Sequence, residues 1–188
     1  PVDFGVRVGL LVGAGVIALI WFGMGYGGFA VYERGARGVK KRVVFTEIDH
    51  LTYHVVDQYQ NGVYSGRQVA LNLESPNGKI GFNGMGAKNE GICTAVLDRL
   101  LPGLVERKWR DLESGHELKV DKLVLKRGTL SWKKEEIPIG QLQSFEPRQG
   151  FLHVWKREKE MSWAMVNLGV RDARLLAPLL ERLIAGRS

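Results

Sequence analysis

The chain has 188 residues, 45% hydrophobic and 25% charged, a globular composition that suits one ordinary domain or two small ones and excludes a collagen-like, wholly disordered or polytopic membrane protein. Its single cysteine, Cys93, excludes an internal disulfide, zinc-finger or iron–sulfur ligation and Cys-x-x-Cys redox chemistry. A net charge of +7, carried almost wholly after residue 32, admits an anionic partner, either a membrane surface or a nucleic acid.

After a short stub, residues 1–7, no charged residue occurs from Val8 to Tyr32. About 20 apolar residues at 1.5 Å each cross a hydrocarbon core of roughly 30 Å, so one transmembrane helix is expected over 8–32. Trp21, Phe22, Tyr26 and Tyr32 gather toward its C-terminal end, where amphipathic rings favour the headgroup layer. Gly9 with Gly13 and Gly23 with Gly27 share a helical face that would admit a close neighbour, although small residues are common in such helices generally. Gly23, Gly25 and Gly28 have G-x-G-x-x-G spacing but not the strand and helix that a dinucleotide site requires. A secretory signal peptide is the rival reading, since Gly28 and Ala30 stand at cleavage spacing, but its apolar region would be only about 7–15 residues long.

Directly beyond the span, Arg34, Arg37, Lys40, Lys41 and Arg42 form a basic cluster opposed only by Glu33. Such a flank places the C-terminal part on the cytoplasmic side of the cell (inner) membrane and also suits anionic lipid headgroups.

From Leu51 to Phe82, Asn61-Gly62 and Asn77-Gly78 each stand between β-prone runs and predict type I′ hairpins, hence a three-stranded antiparallel meander. In its middle strand Val69, Leu71 and Leu73 alternate with Gln68, Ala70 and Asn72, burying one face. The glycine-rich stretch from Gly78 to Gly91 is expected to be a turn. A helix follows with Ile92, Val96, Leu100 and Leu104 on its apolar stripe, bent or broken at Pro102. Short strands are expected between Leu118 and Val166, marked by Leu123 with Leu125, Leu130 with Trp132, Ile137 with Ile139, and Leu152 with Val154. Ala173, Leu176, Ala177, Leu180, Leu183 and Ile184 predict a closing amphipathic helix.

Residues 100–107 pair without gaps against 175–182, and Tyr32-Glu33-Arg34-Gly35 pairs with Leu125-Lys126-Arg127-Gly128. Each start leads through a strand to an apolar turn that ends in Glu47-Ile48 or Gln141-Leu142. An internal duplication of a strands-then-helix unit is expected, with units over 33–114 and 115–188. The fold class is then α+β: a transmembrane helix followed by two antiparallel sheets or partial barrels, each capped by a C-terminal helix.

A family resemblance runs over nearly the whole chain. It is carried by the apolar span, Val31-Tyr32-Glu33-Arg34-Gly35, Phe45-Thr46-Glu47-Ile48 and Tyr59-Gln60-Asn61-Gly62-Val63-Tyr64-Ser65-Gly66. The Leu100-Leu101-Pro102 helix, Gly128, the Ile137-Pro138 turn, Gly150 and Trp163 complete it. Together these residues resemble a bacterial membrane-anchored family of unknown function whose soluble part is similar to pleckstrin-homology domains. Gly140-Gln141-Leu142 departs from that pattern, where a Trp or Phe followed by Glu-Ile would stand. The resemblance implies two pleckstrin-homology-like (PH-like) units, a membrane location and no particular activity.

Chemistry-bearing residues form no constellation in the sequence. His50 and His54 share a strand face but stand roughly 13 Å apart, too far for one metal ion; His116 and His153 read as turn or surface histidines. The Gly78 to Gly91 stretch lacks the G-K-[ST] ending of a phosphate-binding loop. Glu135-Glu136, flanked by Lys133 and Lys134, reads as a solvated turn, and Cys93 as a buried small residue. No catalytic residue, metal site or cofactor is expected, and no nucleic-acid module is visible.

Two surfaces remain. One is the basic cluster. The other is the aromatic and basic stretch Phe151, His153, Trp155, Lys156, Arg157, Lys159 and Trp163, whose odd-numbered members 151, 153 and 155 share a strand face and form either a partner platform or sheet core. The expected function is a membrane-tethered, non-enzymatic interaction or scaffold module that receives a protein segment by strand addition. Anionic lipid binding is the alternative, and an unrecognised hydrolase or transferase a second one.

Overall fold

A computed structural model describes residues 30–32, 35–37, 42–157 and 161–186. Among the described residues the architecture is α+β, with antiparallel strand pairing and two α-helices. Most of the expected span, residues 8–29, lies outside the described residues. Its last three residues are strand, not helix: β1 (Ala30–Tyr32) pairs with β2 (Gly35–Arg37), and β2 with β3 (Arg42–Val44). Val31 and Tyr32 are β-favouring residues, so a strand start there costs nothing locally. Among the described residues no helix is long and apolar enough to cross a membrane.

A one-turn 3-10 helix, Phe45–Glu47, leads into β4 (His50–Gln60), β5 (Val63–Ser75) and β6 (Gly78–Met85), the expected meander in the order β4-β5-β6. Val69, Leu71 and Leu73 are buried as the alternation requires, and they stand opposite Gly84, Phe82 and Ile80. Asn61 (φ 52°) and Gly62 (φ 81°) both take positive φ, which identifies the expected type I′ turn.

The second hairpin differs. Ser75 pairs with Gly78, so its loop is Pro76-Asn77. Proline presets φ near −65°, which suits the first central position of an ordinary turn and moves the loop one residue toward the N-terminus. The stretch from Gly78 is likewise a strand and not a turn. A Cβ at Gly81 would lie 2.7 Å from Asn72 Oδ1, and one at Gly84 2.6 Å from Asn89 Cγ, so a side chain at either position would have to displace the asparagine lying against β6.

Helix α1 (Ala87–Glu113) buries Ile92, Val96, Leu100 and Leu104 as predicted, but it runs unbroken through Pro102. Pro102 is exposed, and the apolar stripe continues in register on both sides of it. Burial of that stripe outweighs the hydrogen bond that proline removes.

After a turn at Gly115 (φ 91°), β7 (Leu118–Val120), β8 (Leu123–Leu125), β9 (Thr129–Trp132) and β10 (Glu135–Pro138) form a four-stranded meander. Glu135 and Glu136 open β10, while the turn before them is Lys133-Lys134. A second 3-10 turn, Ile139–Gln141, leads to β11 (Leu142–Arg148), β12 (Phe151–Lys156) and β13 (Ala164–Asn167). These form a three-stranded sheet in the order β11-β12-β13. Gln149 (φ 51°) and Gly150 (φ 79°) make the β11–β12 turn. The predicted last helix is α2 (Leu176–Ala185), preceded by a 3-10 turn at Ala173–Leu175; it buries Leu176, Leu179, Leu180 and Leu183.

The described residues divide into two compact units: one up to Leu51 with Val56–Leu100, the other Thr52–Val55 with Leu101 onward. In chain order the turn after α1 separates 33–114 from 115–188, but the compact division assigns 101–113 to the second unit. Each unit has its own core, the first around Ile48, Leu71 and Val96, the second around Leu123, Leu152 and Leu180.

Candidate interaction surface

The sheet β11-β12-β13 has two unlike faces. Leu152, Val154 and Val166 are fully buried and Ala164 nearly so, which makes the even-numbered side of β12 the core side. Phe151, His153 and Trp155 point the other way and are each half-exposed. Their cross-strand partners share that face: Arg148, Glu146 and Ser144 on β11, and Asn167 and Met165 on β13. All five are exposed, Met165 to 47%.

The imidazole of His153 stacks on the Trp155 indole at 5.6 Å between ring centres and 21° between planes, giving a flat aromatic surface rimmed by Glu146 and Arg148. Met161, at 82% exposure, adds a second thioether close by in sequence. Lys156 is tied to Glu135 at 2.7 Å and is not a free cation on this surface.

Trp163, grouped with these residues by sequence, is not part of the surface. It is buried, and its Nε1 has no hydrogen-bond partner among the described residues. The parity counted along β12 does not extend past the end of that strand at Lys156. Lys159 lies outside the described residues, and Arg157 is exposed in the turn after β12.

Of the basic cluster, Arg34, Lys40 and Lys41 lie outside the described residues. Arg37 and Arg42 are backbone partners at the end of the β2–β3 pair where the chain passes from one strand to the other.

The remaining chemistry-bearing residues have structural surroundings. Cys93 is buried as expected, and burial pushes its thiol up to about 12, so no reactive thiolate forms near neutral pH. His54 lies against Gly169, where a Cβ would come within 2.7 Å of its ring, and His116 sits 2.9 Å from Ser114 Oγ. Glu136 accepts a hydrogen bond from Ser131 at 2.9 Å, which with Thr129 and Lys126 holds its carboxyl below the ordinary range. Arg174 lies 4.9 Å over the Tyr53 ring, and burial lowers its affinity for its proton. No group of three metal-ligating side chains occurs among the described residues.

A second surface lies at the β4–β5 turn. Tyr59 and Tyr64 flank the Asn61-Gly62 turn with their rings edge to face at 5.8 Å, and Val63 beside them is 69% exposed. The signal was present in the sequence as aromatic and β-branched residues packed around an Asn-Gly turn, but such residues ordinarily mark buried strand. Behind this tip Arg67 donates to both carboxylate oxygens of Asp57, at 2.7 and 3.2 Å, and reaches Glu90 at 3.4 Å.

The hydrogen bond from Arg67 holds the Asp57 carboxyl below its ordinary value of 3.8. Because the folded-state value is depressed, the pair contributes above pH 3.8 and is lost as pH falls through the depressed value. Arg67→Met is expected to return the Asp57 titration to the ordinary carboxylate range, read by carbon-detected NMR of the side-chain carboxyl. An unchanged midpoint would mean that the ion pair does not persist in solution.

No family model, no curated protein and no solved structure matches the chain.

Proposed function

We propose that the chain is a membrane-tethered, non-enzymatic interaction module that presents two PH-like units at the cytoplasmic face of the cell membrane. The observation that carries this reading is the aromatic face of the β11-β12-β13 sheet, backed by a filled core and ending in β13, which pairs with no further strand among the described residues. An extended protein segment would add along β13 through backbone hydrogen bonds, with its side chains lying on Trp155, His153 and Met165. Aromatic residues presented on a rigid sheet are the usual anchors of such contacts.

Two features support the PH-like reading. The second unit runs four strands, a 3-10 turn, three strands and a helix; the first runs β1 to β3, a 3-10 turn, three strands and α1. The two 3-10 turns also correspond in detail. Ile48 and Leu142 each donate back to the first residue of the turn, Phe45 or Ile139, and all four are buried. This is the place where the sequence pairs Glu47-Ile48 with Gln141-Leu142, and it favours an internal duplication. The tether rests on the uncharged run from Val8 to Tyr32 and the basic residues beyond it.

The test is affinity capture of the full chain from detergent-solubilised membranes beside a Trp155→Ala/Met165→Lys variant. A partner specific to the native chain should be recovered, and its binding should fall at least about tenfold in the variant, as for loss of an interface anchor. Recovery of no specific partner, or of the same partner undiminished, would overturn the reading.

A further inference from the structure

We propose that the tip of the β4–β5 arm, Tyr59, Val63 and Tyr64, seats in the interfacial layer of a lipid bilayer as an uncharged contact separate from the basic cluster. The inference rests on the membrane-tethered reading above.

The arm is built to reach outward. Pairing between β5 and β6 begins at Gln68, opposite Met85, and the Arg67 carbonyl still accepts from the Gly86 N–H at 2.7 Å, so among the described residues only β4 runs beside residues 63–65. From Val56 to Gly66 no residue is buried, and both faces of this two-stranded ribbon meet solvent. At 3.3 Å per residue the stretch from Val56 to Gln60 extends roughly 13 Å. Two-stranded ribbons are marginal alone. This one is braced by its type I′ turn, by the edge-to-face tyrosines, and by Gln58 donating to Gln68 at 2.8 Å while Gln68 donates to Asn83 at 3.1 Å. A pre-ordered tip loses little freedom when it is engaged.

Its chemistry fits a headgroup layer. Tyr59, Val63 and Tyr64 are 67%, 69% and 55% exposed, an apolar cluster held at the far end of the ribbon. From Gln58 to Gly66 there is no charged residue. The first charges behind the tip, Asp57 and Arg67, are paired with each other. Tyrosine favours the membrane–water boundary, where its ring meets acyl chains and its hydroxyl meets water and ester oxygens. Gln60, Asn61 and Ser65 supply uncharged hydrogen-bonding groups at the same depth.

A protein groove would have to accommodate both rings without any charge at the tip to orient it. A bilayer needs no such complementarity. In a tethered chain it is also present at high effective concentration, so a contact too weak to hold a free protein suffices.

The test uses the full chain in phosphatidylcholine vesicles, with Val63→Cys labelled by an environment-sensitive fluorophore. The buried Cys93, its thiol pushed up to about 12, leaves the introduced cysteine as the labelled site. Ile20→Cys, labelled separately, reports the tether. Lipids spin-labelled near the headgroup should quench the Val63 probe by about half, more than lipids labelled near the acyl terminus, as for an interfacial residue. Tyr59→Ser/Tyr64→Ser should return that probe to its aqueous emission.

An unquenched Val63 probe beside a quenched Ile20 probe would sink the tip contact and leave the tether standing. Absence of quenching at both sites would sink the tether, and the tip contact with it. A blue-shifted Val63 probe that spin-labelled lipid does not quench would place the tip against protein and overturn the lipid occupant.

Discussion

Leu152→Ala is expected to lower the free energy of unfolding by about 2–5 kcal/mol, whereas His153→Ala, the next residue, should change it by less than about 1 kcal/mol. The contrast follows from the two faces of β12: Leu152 is fully buried beside Val154 and Val166, while His153 lies on the open side stacked on Trp155. Truncating leucine removes transfer free energy and leaves a cavity; truncating the histidine removes one exposed stacking contact. Chemical denaturation of the full chain measures both. Equal costs would mean that the aromatic side is packed as tightly as the leucine side, and the proposed docking surface would not exist.

Pro102→Ala should act in the opposite direction, raising the unfolding free energy by about 1–3 kcal/mol. Pro102 lies inside the 27-residue helix α1, exposed, with Leu100 and Leu104 buried on either side. Alanine would restore the N–H that the carbonyl one turn earlier lacks, at no cost in packing. Gly103→Ala should add about 0.5–1 kcal/mol, since helix interiors disfavour glycine by that amount. A Cβ there meets only Arg107 Nη1, at 3.9 Å. Thermal denaturation of the single and double variants checks both gains. A loss at Pro102 would mean that the fold uses a local distortion which an unbroken hydrogen-bond ladder removes.

Where one period dominates, the sequence alone specified the element. The alternation through Val69, Leu71 and Leu73, the one-turn spacing of Ile92, Val96, Leu100 and Leu104, and the closing helix of Leu176, Leu180 and Leu183 all appear as read. The Asn61-Gly62 turn was legible because two adjacent positive-φ positions suit few residue pairs. At Asn77-Gly78 the same signal misled, because Pro76 imposes its own φ one residue earlier. The strand character of residues 78–85 was hidden for another reason. Gly81 and Gly84 lie against Asn72 and Asn89, side-chain packing across the hairpin and onto the following helix that hydrophobic periodicity does not register.

The candidate surface was half legible. That Phe151, His153 and Trp155 share a face follows from strand period alone, but Leu152 and Val154 are apolar too, so parity could not say which side is core. Burial decides it, and the same burial removes Trp163 from the set.

Strand β13 spans only Ala164–Asn167 and, among the described residues, pairs on one side alone. A rim so short has room for one brief guest but not for the long, flat stacking by which like edges propagate into fibres. Copies crowded together could therefore keep a sticky aromatic surface ready for use without seeding aggregation through it.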